Sequence, residues 1–81
     1  MRTAREFLKK IEWDKREDPG QYTVVYLDFG KPVEMPYQSI VDVSENFMTV
    51  LRNGKESDVP LHKIRQIKKQ GTVVWQREPR A

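Results

Sequence analysis

Apolar positions change their period along this chain. Ala4, Phe7, Leu8 and Ile11 recur at i, i+3, i+4 and i+7, the single stripe of an amphipathic helix. Thr3 precedes the stripe, and Glu6 stands three residues later, a capping-box start. The helix is predicted to end near Trp13-Asp14, with Arg5, Lys9 and Lys10 pointing away from the stripe. The charged run Lys15–Asp18 and then Pro19-Gly20 predict a loop.

From Tyr22 the period is two. Tyr22–Phe29 is β-branched and aromatic, placing Val24, Tyr26 and Asp28 on one strand face and Val25, Leu27 and Phe29 on the other. Gly30-Lys31-Pro32 turns the chain and Val33–Met35 returns it. A single helical turn over Pro36–Ser39 would bring Tyr37 and Ile40 to one side. Further strands are predicted over Val41–Ser44, Phe47–Arg52, Lys55–Val59, Arg65–Lys69 and Thr72–Arg77, with a second helical turn at Pro60–Lys63. Asn53-Gly54 is a type I′ hairpin signal, and Glu45-Asn46 and Gln70-Gly71 mark two other turns. The expected fold is α+β: an N-terminal helix plus about six short antiparallel strands in a small curled sheet or barrel. Residues 1–78 read as one domain and 79–81 as a frayed tail.

The apolar skeleton recurs at an offset of 24 residues. Met35, Pro36, Tyr37, Ile40 and Val43 fall on Val59, Pro60, Leu61, Ile64 and Ile67, and Thr49-Val50-Leu51 falls on Val73-Val74-Trp75. The polar positions do not recur, since Gln38-Ser39 becomes His62-Lys63 and Val41-Asp42 becomes Arg65-Gln66. Matching apolar positions are expected to build the scaffold, and the changed polar ones to carry function.

Composition narrows the chemistry. Hydrophobic residues make up 37% and charged residues 33%, which suits a folded chain. With no cysteine and one histidine, disulfides, thiolate metal sites and a Cys–His pair are excluded. Ser39 lacks the surroundings of a nucleophile, and no metal-ligand spacing joins His62 to Asp28 or Asp58. The glycines stand apart, so no phosphate-cradling glycine loop exists. The expectation is a protein without catalytic residues, metal or cofactor. No apolar run approaches the roughly 20 residues of a membrane span, and the N-terminus lacks a signal-peptide core, so a cytoplasmic, soluble protein is expected.

The net charge of +3 is unevenly spread. Residues 1–16 carry six Lys/Arg against three acids, residues 17–61 three against eight, and residues 62–81 six against one. Basic ends meeting in space would form a face that attracts polyanions; the structural alternative is that mixed charge only keeps a small domain soluble. His62, Lys63 and Arg65 cluster at the second helical turn, with Lys68, Lys69 and Arg77 on the strands that follow. Arginine offers a bidentate fork to phosphate, lysine a point charge and imidazole a further donor. Trp13 and Trp75 are candidates to stack an unpaired base. Trp75 aligns with Leu51, which favours core packing, and core packing is also favoured for Trp13. Asp14-Lys15-Arg16 reads as a solvated loop with Asp14 bridging Arg16, against a second basic wall.

Four stretches carry a family likeness: Ile11-Glu12-Trp13-Asp14, Tyr26-Leu27-Asp28-Phe29-Gly30, Val59-Pro60-Leu61-His62-Lys63-Ile64 and Gly71-Thr72-Val73-Val74-Trp75. Through them the chain resembles a family of small archaeal proteins whose domain also occurs in larger, including eukaryotic, chains as an RNA cyclic-group-end recognition domain. The resemblance implies RNA binding, at ends carrying a 2′,3′-cyclic phosphate, in RNA processing or repair. In that family an Arg usually precedes the strand-end glycine, where this chain has Phe29, and an Arg usually follows the histidine, where it has Lys63. No phosphate role passes to Phe29, and Lys63 keeps the charge without the fork.

The expected function is a non-catalytic RNA-binding module for single-stranded or phosphate-terminated RNA. His62, Lys63 and Arg65 hold the phosphate, with Lys68, Lys69, Arg77 and Trp13 around them. Membrane partners are not expected; other RNA-processing proteins are. The alternative is a protein-interaction or assembly domain that pairs an exposed strand edge.

Overall fold

The computed structural model describes residues 3–77, so the tail expected at 79–81 lies outside the described residues. Helix α1 spans Ala4–Trp13. Thr3 is its N-cap, and the reciprocal Thr3–Glu6 capping box is formed. Ala4, Leu8 and Ile11 are buried and Phe7 packs at the edge of the core, as the stripe requires. A one-turn 3₁₀ helix at Pro19–Gln21 leads into seven strands: β1 Tyr22–Asp28, β2 Lys31–Pro36, β3 Ile40–Val43, β4 Phe47–Arg52, β5 Lys55–Pro60, β6 Ile64–Lys69 and β7 Thr72–Gln76.

The strands form two antiparallel sheets, in the orders β2-β1-β6-β7 and β3-β4-β5, and neither closes. The α+β class stands; a closed barrel does not. The chain passes between the sheets at 3₁₀ turns over Tyr37–Ser39 and Leu61–Lys63, which leave both sheets with open edges. These turns sit 24 residues apart, yet a repeated structural unit is not established. The chain crosses from the four-stranded sheet to the three-stranded one at the first turn and in the reverse direction at the second.

Three hairpins turn on adjacent positive-φ residues, Phe29-Gly30, Asn53-Gly54 and Gln70-Gly71. This I′-like geometry matches the twist of the paired strands. The first replaces the expected Gly30-Lys31-Pro32 turn, so Phe29 leaves the strand and Lys31 and Pro32 enter β2. Pro32 is tolerated because β2 is an edge strand.

The core lies between the sheets and under α1. Its fully buried members include Leu8, Ile11, Val24, Met48, Val50, Ile64 and Ile67. Ile64 and Ile67 cannot share a face of a regular strand, because side chains alternate. A bulge resolves this: Val25 pairs with Gln66 and Tyr26 with Ile64, leaving Arg65 as the extra residue. Arg52 donates to the Tyr26 hydroxyl at 3.1 Å, linking the end of β4 to β1. Among the described residues no helix is long and apolar enough to cross a membrane.

Candidate functional site

The second 3₁₀ turn is built by its neighbours. Pro60 enters in extended geometry, Leu61 is buried, and the Ile64 N–H returns to the Leu61 carbonyl. Leu61 itself donates to the Asn46 carbonyl at 2.9 Å. Arg77 fastens the turn from the side: its Nε donates to Ile64 O, and a terminal nitrogen adds a second bond to Leu61 O, each at 3.0 Å. The Arg77 backbone N–H donates to Arg65 O at 2.9 Å, and its guanidinium lies 5.5 Å from the Trp75 ring centroid. Arg77 is therefore a brace between β7 and the turn. Burying Leu61 and fastening both ends leaves His62 and Lys63 exposed on the outside.

Arg65 is exposed one residue past the turn, displayed by the bulge. Among the described residues, none offers His62, Lys63 or Arg65 a side-chain partner. Arg65 and Arg77 also line one concavity of about 460 Å³ on the outer face of the four-stranded sheet, with Val25, Pro32, Gln66 and Gln76. Four of the sequence-predicted residues thus lie around one end of β6.

The other three lie elsewhere. Lys68 and Lys69 are adjacent on a strand and face opposite ways. Lys68 pairs with Glu34 across β1 at 2.7 Å. Lys69 sits 5.7 Å from the Tyr22 ring centroid and 3.9 Å from Glu17, which also accepts from the Tyr22 hydroxyl. Trp13 overturns the expected core packing, being 69% exposed. Two residues beyond Ile11 is about 200° around a helix, the face opposite the stripe. Arg5, at the other end of α1, reaches Ser44 O at 3.3 Å, and Asn46 in the same turn binds Leu61. The start of α1 is thus on the His62 side, and Trp13 lies about 14 Å along the axis from it. Trp75 is partly buried and packs against the core, but Leu51, its counterpart at the 24-residue offset, is exposed, so the core packing follows from Trp75 pairing with buried Ile67 and not from the alignment. Asp14 caps α1 and binds Arg16 at 3.0 Å to the backbone N–H and 3.2 Å to Nε. The side-chain hydrogen bond from Arg16, first among several causes, holds the Asp14 carboxyl below the usual carboxylate range; the bridge joins a largely covered Asp14 side chain to an exposed Arg16.

Two groups escaped the sequence reading. Phe29 is 96% exposed with φ of +52°, at the hairpin tip on the same end of the sheet as the second 3₁₀ turn. A positive φ is strained for a phenylalanine, so the hairpin holds the ring out in solvent at some cost to the backbone. The available signal was a large residue directly before Gly30 at a strand end. Gln66 and Gln76 were passed over because nothing local says that they face each other; they are direct partners in the β6–β7 ladder. Among the described residues no group of three or more His, Asp or Glu side chains could hold a metal ion.

The model of the MJ1316 RNA cyclic group end recognition domain matches residues 1–77. The chain belongs to that family. Archaeal proteins match the chain along most of their length. The UPF0248 protein of Metallosphaera sedula is 29% identical over 76 residues, covering 93% of this chain and 92% of that one. The UPF0248 protein of Pyrococcus horikoshii is 27% identical, with 91% and 88% covered. The one from Methanopyrus kandleri is 30% identical, with 84% and 90% covered. No solved structure matches the chain significantly. The family description points to RNA with cyclic-group ends as the partner, and it describes recognition rather than a reaction.

Proposed function

We propose that this domain is a non-catalytic RNA-binding module that recognises single-stranded RNA ends bearing a phosphate, the 2′,3′-cyclic form included. His62, Lys63 and Arg65 contact the phosphate. Arg77 holds the turn that displays them, and Lys68 and Lys69 add to the attracting field. One observation carries the reading: in a family named for RNA-end recognition, the three side chains at a braced turn are exposed and have no partner among the described residues. Cations that stabilise a fold are paired; cations held free by a rigid support are available to an anion. Phe29, exposed at the same end, supplies an aromatic face for an unpaired base.

The test is fluorescence anisotropy with one RNA sequence ending in a 2′,3′-cyclic phosphate, a 3′-phosphate or a 3′-hydroxyl. Affinity should fall steeply with salt and follow the phosphate-bearing ends. A dissociation constant above about 1 mM for all three at about 50 mM salt, well outside even non-specific nucleic-acid binding, would sink the proposal. Equal affinity for the three ends would reduce it to general RNA binding.

A second reading rests on β7, an open edge of the four-stranded sheet that exposes Val73 and Val74. Such an edge can add a strand from another chain. Concentration-dependent sedimentation that persists in Lys63→Ala would favour it.

A further inference from the structure

The outer face of the four-stranded sheet carries a second set of binding features beside the cations. Register across the sheet places Glu34, Val25, Gln66 and Gln76 in one transverse row, one residue from each of β2, β1, β6 and β7. Direct partners in an antiparallel ladder have Cβ atoms about 5 Å apart and project to the same side. Glu34 is occupied by Lys68. That leaves Val25 as a buried apolar floor and the Gln66 and Gln76 amides side by side, without a side-chain partner among the described residues. Pro32 and Arg65 complete the rim of the concavity of about 460 Å³, within the size range of small-molecule sites.

We infer that this concavity seats the base of the RNA's terminal nucleotide, with Gln66 and Gln76 reading its hydrogen-bonding edge; this rests on the RNA-end reading above. Each amide carries one acceptor and two donors in a plane, the complement of the adjoining donors and acceptors on a base edge. Val25 and Pro32 offer apolar contact to the base, and the Arg65 guanidinium offers a plane to stack on as well as a charge. Arg65 is common to both features, since the bulge puts it at the boundary between the 3₁₀ turn and the concavity. A nucleotide whose phosphate lies at His62 and Lys63 therefore has its base directed to this face. A second concavity among the described residues, of about 220 Å³, is lined by Glu12 and Asp42 and by no Lys or Arg, which disfavours a polyanion there.

The experiment uses a short single-stranded RNA ending in a 2′,3′-cyclic phosphate, with the terminal base varied among the four or replaced by an abasic nucleotide. Removing the base should weaken binding about tenfold, the scale of one base contact. The double variant Gln66→Ala/Gln76→Ala should erase the differences among the four bases while leaving the salt dependence unchanged. In ¹⁵N-labelled wild-type protein the Gln66 and Gln76 side-chain amide signals should shift with the base-bearing RNA and stay in place with inorganic phosphate. Dispersed backbone amide signals of the double variant check its fold. Tight, phosphate-dependent binding that is indifferent to the terminal base, with unmoved glutamine signals, overturns the base site and leaves the phosphate reading standing. Failure of every RNA to bind overturns both.

Discussion

The two 3₁₀ turns, Tyr37–Ser39 and Leu61–Lys63, share one local construction and differ in what they are fastened to. Each follows a proline in extended geometry, buries its first residue, and closes with the next strand's first N–H on that residue's carbonyl. Each is followed by a bulge in which the second strand residue, Val41 or Arg65, is the unpaired one. At the first turn the fastening comes from inside, where the Tyr37 hydroxyl donates to Leu8 O at 3.0 Å within the core. At the second it comes from the side, through Arg77. The corresponding positions then diverge: exposed Gln38, half-buried Ser39 and exposed Val41 in one, and His62, Lys63 and Arg65, all exposed, in the other. Similar scaffolding with opposite surface chemistry separates what the fold needs from what a ligand needs.

Breaking each fastening tests that separation most strongly. Arg77→Ala removes two charge-assisted hydrogen bonds from partly buried carbonyls and should cost about 2 kcal/mol in urea denaturation. Arg77→Lys, which keeps the charge but loses the fork, should recover only part of that. RNA affinity should fall with both, because the turn loses its brace.

The internal fastening is neutral and weaker. Tyr37→Phe should cost about 1 kcal/mol by the same measurement and leave RNA affinity unchanged. Its pH dependence has a definite sign. Burial first, and the Glu12 carboxylate second, push the Tyr37 hydroxyl above its ordinary value of 10.0. The folded state thus favours the protonated hydroxyl that donates to Leu8 O. Tyr37 contributes fully below pH 10 and less as pH rises through its folded value, because the unfolded chain loses the proton first. Tyr37→Phe should remove that part of the alkaline loss.

Phe29→Asn reverses the usual link between function and stability. Asparagine accepts a positive φ more readily than phenylalanine, so the hairpin should gain about 0.5 kcal/mol. RNA binding should weaken if the exposed ring stacks a base, and unchanged affinity would remove Phe29 from the interface.

The matched pair Lys63→Ala and Ser39→Ala should have the smallest effect on stability, each within about 0.5 kcal/mol, since both side chains lie outside the core without a side-chain partner among the described residues. Only Lys63→Ala should lower RNA affinity, with the slope of log affinity against log salt falling by about one unit. An equal effect of the two on RNA would abolish the contrast between the turns.

How much could be read beforehand follows from the range of each interaction. The Thr3–Glu6 capping box, the apolar stripe and the Asn53-Gly54 hairpin are decided within a few residues, and each took its expected form. Phe29 went astray because a strand-forming residue was drawn into a turn by Gly30 beside it. The core packing favoured for Trp13 failed because its angle from Ile11 puts it opposite the stripe. The basic cluster was visible as composition, but Lys68 and Lys69 parted onto opposite faces and found acidic partners from distant segments.

By itself, the sequence determined the elements of this protein: one capped helix, glycine-containing hairpins and two proline-led turns, all set by local dihedral preference, capping and apolar period. Only the tertiary structure decided which sheet each strand joined. It also placed the bulge at Arg65, put Gln66 opposite Gln76, and carried Arg77 back to the Leu61 carbonyl. Those outcomes depend on register between strands far apart in the chain. There, burying Ile64 and Ile67 together outweighs regular pairing, and the residue left over is the one displayed to solvent.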